Sequence, residues 1–113
     1  MIIETNDSLV FIEAKLASMN KIDFNRSHTE GEKGKRINRY TRGSAFLKSS
    51  VKDIIDAGYY QLMRLWLIGA EIARSHEQNF CLVSLVRSGY EVNIEKELGV
   101  FIRQDSERKF VRI

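Results

Sequence analysis

Proline is absent from this chain of 113 residues, and its seven glycines follow no repeat, which excludes a collagenous or low-complexity protein. Cysteine occurs once, at Cys81. One thiol excludes an internal disulfide framework and a zinc site built from several thiolates, so a reducing, cytoplasmic compartment is expected. His28 and His76 have no Cys or His at ligand spacing and add no zinc motif. Long apolar runs are missing too. The longest, Tyr59–Ala73, carries Gln61, Arg64 and Glu71, too short and too polar to span a bilayer. Glu4 and Asp7 fall inside the first apolar stretch, against a secretory leader.

What is present is ordinary for one globular domain: 43% hydrophobic residues, 29% charged and a net charge of +3. That charge is unevenly placed. Seven basic residues (Lys33, Lys35, Arg36, Arg39, Arg42, Lys48, Lys52) follow one another with no acid between them. They come out of a total of 18 basic against 15 acidic residues, so the rest of the chain is net acidic. The segment from Ala17 to about Ser50 also holds Gly31, Gly34 and Gly43 and has no clear periodicity. Long aperiodic segments within a domain are usually functional. This one reads as a phosphate-tracking arm, with Tyr40 and Phe46 available to stack on bases. A solvated loop with incidental charge is the plainer reading.

Around that segment the pattern is α/β. Ile2-Ile3, the turn-forming Thr5-Asn6-Asp7-Ser8 and Leu9–Leu16 predict a hairpin. Strand alternation puts Leu9, Phe11, Glu13 and Lys15 on one face of its second strand. One long helix is expected over roughly Val51–Glu77, capped by Ser49 or Ser50, apolar nearly all round and packed on several sides. Phe80–Val86 reads as a central strand, and strand, helix, strand is the order of a parallel crossover. A short helix near Glu91–Leu98 and a strand at Phe110–Ile113 follow. Both ends are strand-like, as expected of a piece of a longer domain or of termini paired in a sheet. Exposed strand edges there would favour a homodimer or a partner completing the sheet.

Two chemistry-bearing pairs stand out. Glu13 and Lys15, two apart at the end of a buried strand, project side by side. The carboxylate can hold a hard cation such as Mg²⁺ or Mn²⁺, and the ammonium can steady a water or a phosphodiester under attack. An acid-x-Lys is a cheap pattern: Glu107-Arg108-Lys109 is a second, without a buried strand before it. On the helix, Gln61 and Arg64 share a face, with Glu71 one heptad beyond Arg64. A strand end reaching water, and a polar pair satisfying groups inside the fold, are the bland alternatives.

Taken in order, Val10-Phe11-Ile12-Glu13-Ala14-Lys15, the helical Gln61-Leu62-Met63-Arg64 and the strand Phe80–Val86 resemble the PD-(D/E)XK restriction-endonuclease-like nuclease superfamily, over about residues 1–88. The resemblance implies a restriction-endonuclease-like core, a mixed β-sheet with one long packed helix, here without the family's opening helix and first strand. It implies Mg²⁺- or Mn²⁺-dependent hydrolysis of nucleic acid, DNA more readily than RNA. Glu13 would be the metal carboxylate, Lys15 would assist the attacking water, and Gln61 and Arg64 would support the site. The family's first acid has no clear counterpart, since Asp7 falls at the hairpin tip and Glu4 is several residues from the level of Glu13. An inactive nucleic-acid-binding or assembly module derived from a nuclease therefore stands as the alternative.

Overall fold

A computed structural model describes residues 1–15 and 45–113. Lys33, Lys35, Arg36, Arg39, Arg42 and Tyr40 lie outside the described residues. The elements are β1 (Ile2–Glu4), β2 (Ser8–Lys15), α1 (Val51–Asp56), α2 (Tyr60–Ser75), β3 (Asn79–Val86), α3 (Ile94–Gly99) and β4 (Arg108–Arg112). They form a mixed α/β fold around one four-stranded sheet in the order β1-β2-β3-β4.

β1 and β2 are the expected hairpin, antiparallel with Ile3 opposite Val10. The Thr5 hydroxyl sets its turn by accepting from the backbone N–H groups of Asp7 at 3.3 Å and Ser8 at 3.1 Å. β2 and β3 run parallel, as the crossover requires, and β4 pairs parallel with β3 on its far side. Alternation puts Leu9 and Phe11 of β2, Phe80 and Leu82 of β3 and Phe110 of β4 on one face, and all five are buried against the helices. On the opposite face Val83 is buried, Val10, Ile12, Cys81 and Val111 are half-buried, and Leu85 is exposed.

The single long helix expected over Val51–Glu77 is instead two. α1 starts where Ser50 accepts from the Asp53 N–H at 3.1 Å. It stops at Gly58, whose φ is +94°. There the Gly58 N–H donates to the Ile55 carbonyl at 3.0 Å and the Tyr59 N–H to the Ile54 carbonyl at 3.1 Å. This is the paired terminal bonding that a glycine in the left-handed region permits, and it frees the chain to start α2 in a new direction. α2 ends in the same way, but with Glu77 at φ +55°.

Nor is α2 packed all round. Leu62, Met63, Trp66 and Ala70 are fully buried along one stripe, while Ile68 and Ile72 on the other side are each 37% exposed. The Trp66 indole donates to the Phe46 carbonyl at 3.0 Å, which ties the chain entering α1 to the middle of α2. Among the described residues no helix is long and apolar enough to cross a membrane.

Candidate functional site

Because β2 and β3 are parallel, the helical connection between them has to run back along the sheet, and the first turn of α2 arrives at the carboxyl ends of the strands. That end of an α/β sheet is where ligands usually bind, since the connecting loops converge there. Glu13 and Lys15 occupy it. Their side chains form an ion pair with Lys15 Nζ 3.1 Å from Glu13 Oε1, and are only 17% and 29% exposed for Lys15 and Glu13 respectively. Both follow Leu9 and Phe11 on the helix-covered face, as the alternation predicts.

The register carries the site across the sheet. Glu13 pairs with Ser84 of β3, and Ser84 with Arg112 of β4, so the three residues stand in one row on one face. Adjacent strands lie about 4.8 Å apart, which puts the Glu13 and Arg112 backbones roughly 10 Å from each other. Ser84 is the one fully buried polar residue among those described. Arg112 is half-buried and donates from both Nε, at 3.1 Å, and Nη2, at 2.7 Å, to the Tyr90 carbonyl in the loop after β3. Sequence reading missed Arg112. The signal was the alternation of the last strand, in which Arg112 must share a face with Phe110.

Gln61 and Arg64 are placed differently. Gln61, half-buried, lies in the first turn of α2 at the site's end of the sheet; Arg64 is exposed, one turn further along. At about 100° per residue both fall on the side of α2 away from the stripe of Leu62, Met63, Trp66 and Ala70. No hydrogen bond or ion pair joins either of them to Glu13 or Lys15 among the described residues. Glu71, one heptad beyond Arg64, pairs instead with Arg74. Of the basic run, the two described lysines engage the chain itself: Lys52 pairs with Asp56 at 2.6 Å, and Lys48 lies 3.4 Å from the Gly99 carbonyl.

Acidic neighbours decide what Glu13 can hold. Glu4 is opposite Leu9, four positions along β2 and about 13 Å away at 3.3 Å per residue. Asp7 lies in the turn before β2 begins, further still. Among the described residues no group of three His, Cys, Asp or Glu side chains is able to hold a metal ion. Mg²⁺ needs several oxygen ligands and releases water reluctantly, so the described residues do not by themselves make a site for it. Cys81 is held toward its neutral thiol. Burial pushes its thiol pKa up, against a smaller opposing pull from the Lys109 charge.

At the amino end of α2, the Tyr59 hydroxyl donates to the Glu97 carboxylate and links α2 to α3. Tyr59 is almost fully buried, and that burial, then the bond to Glu97, then the charges of Glu97 and Glu91, hold its pKa well above the usual 10.0. A folded-state pKa raised above the unfolded one gives stability that is fully present below pH 10 and is lost as pH rises toward the folded value. Denaturant midpoints should therefore fall above pH 10 in the parent chain, and Tyr59→Phe should flatten that fall. At pH 7 the same variant should cost about 1 kcal/mol for the lost hydrogen bond.

No protein-family model, curated protein or solved structure matches this chain.

Proposed function

We propose that this chain is a nuclease-like domain, built on a restriction-endonuclease-like core, that engages nucleic-acid phosphodiesters, DNA first, at the carboxyl end of its parallel strands. One observation carries the reading: a half-buried carboxylate and ammonium, Glu13 and Lys15, paired 3.1 Å apart at the end of a central strand. An acid-x-Lys that merely reached water would have both groups open to it. The strand order supports the same reading, with an antiparallel β1 on one side of β2 and a helical crossover to a parallel β3 on the other.

A divalent cation, if held there, would supply positive charge to the phosphodiester under attack. Glu13 would be one of its ligands, and the others would have to come from outside the described residues. Lys15, beside it, is positioned to stabilise charge on the attacked phosphate. The second reading is a domain that binds nucleic acid without cutting it.

One assay separates the two: nicking of supercoiled plasmid in Mg²⁺ or Mn²⁺ by the parent chain, Glu13→Ala and Lys15→Ala. Hydrolysis predicts metal-dependent nicking that falls about a hundredfold or more in each variant, the scale on which preorganised charge acts in a site. Binding alone predicts no nicking, with affinity for DNA that weakens steeply with salt as released counterions compete. Neither nicking nor salt-sensitive binding would end both readings.

A further inference from the structure

The loop after β3 holds an arrangement that the acid-lysine pair does not use. Arg87 to Tyr90 is a β-turn closed by the Tyr90 N–H donating to the Arg87 carbonyl at 3.0 Å. Gly89 stands third in it at φ +87°, the conformation that a type II turn demands of that position. This turn folds Arg87 back over Tyr90, with the guanidinium carbon 5.8 Å from the ring centroid. Arg112 holds the same residue through the Tyr90 carbonyl. Two of the five N–H donors of Arg112 are used in that grip, which leaves three.

Tyr90 is 50% exposed. Among the described residues neither Arg87 nor Arg112 has an ion-pair partner. Glu91, next in the chain, is half-buried and its charge is felt at Tyr59 on the helix side. An exposed aromatic residue with one guanidinium over its ring and a second on its backbone carbonyl fits one class of ligand best. Bases present flat π-faces at any sequence, and the strand carrying them presents a phosphate at every step.

We infer that Tyr90 is a stacking platform for an unpaired base of single-stranded nucleic acid, with Arg87 and Arg112 contacting the adjoining phosphates. The inference rests on the nucleic-acid reading above and adds to it a strand class and a contact residue. A duplex would present this ring with stacked, inaccessible bases, so an unpaired or frayed segment is the ligand. Gly89 and the turn set the backbone from which the ring projects.

The test is fluorescence anisotropy of the full chain with a labelled short single-stranded oligodeoxynucleotide and with the same backbone made abasic. The base-bearing strand should bind about tenfold or more tightly than the abasic one, the scale of one base stacked on one aromatic ring. Tyr90→Ala should lose that preference. Tyr90→Phe should keep the preference, because the ring and not the hydroxyl stacks. Arg87→Ala should weaken both strands together. Equal binding of the two strands by the parent chain, or a preference that survives Tyr90→Ala, overturns the platform and leaves the nucleic-acid reading standing. Failure to bind either strand overturns the platform, and the plasmid assay then decides whether the nucleic-acid reading stands.

Discussion

Trp66→Ala is expected to lower the free energy of unfolding by about 3–5 kcal/mol, the usual cost of removing a buried indole. Against a total of roughly 5–15 kcal/mol for a domain, that is a fifth of the stability or more. Trp66 is fully buried, packs with its ring centroid 5.6 Å from that of Phe80, and donates to the Phe46 carbonyl. Trp66→Phe divides the effect. It keeps an aromatic ring in the core and loses the indole hydrogen bond, and the Phe46 carbonyl still accepts the Arg103 N–H at 2.8 Å. With no buried acceptor orphaned, this variant should cost only about 1–2 kcal/mol. Urea unfolding followed by circular dichroism measures both, and a loss below about 1 kcal/mol for the alanine variant would contradict the placement of Trp66 at the centre of the core.

A second large effect is expected at Gly69, where two opposing terms have to be weighed. In an exposed helix interior, glycine to alanine gains about 1 kcal/mol. In α2 a Cβ at this position would stand 2.1 Å from Cε1 and Cζ of Phe80. The ring has little room to retreat, because Phe11 meets it edge-on at 5.3 Å and Trp66 packs beside it at 5.6 Å. Overpacking of this kind costs about 1–3 kcal/mol or more, so Gly69→Ala should be net destabilising despite its better helix propensity. Phe80→Leu opens the space. In the double variant the alanine should therefore cost less than it does alone, with a coupling of about 0.5–3 kcal/mol between the two sites. Strict additivity would mean that α2 and β3 do not touch there.

These two residues also mark the limit of what the chain discloses by itself. The hairpin was legible from Thr5–Ser8 and the alternation after it, the crossover from the apolar run Phe80–Val86, and the cap from Ser50. Glu13 and Lys15 could be placed on the helix-covered face because a period of two leaves no choice once Leu9 and Phe11 are buried. The break at Gly58 was not legible as a break. A glycine inside an apolar pattern is compatible with a helix interior, and only the bonds from Gly58 and Tyr59 back to Ile55 and Ile54 identify a terminus. The row of Glu13, Ser84 and Arg112 was out of reach for a different reason. It depends on parallel register between strands far apart in sequence, which no local period encodes. Gln61 and Arg64 share a helix face as expected, but the direction of that face follows from which stripe the sheet buries.

The register also orders assembly in time. The hairpin joins near neighbours, with Glu4 opposite Leu9, and the β3–β4 pairing joins Phe80 to Arg108. The seam between β2 and β3 joins Ser8 to Asn79, more than twice the separation of the β3–β4 pairing. Each doubling of a loop adds about 0.6 kcal/mol of closure entropy, so the seam is the pairing the folding chain reaches last. Glu13 and Lys15 belong to the half that forms on one side of it, Ser84 and Arg112 to the half on the other. Until the seam closes, the row between the two halves does not exist. Whatever chemistry the row performs is thus a property of the completed fold, and a partly folded chain has none of it.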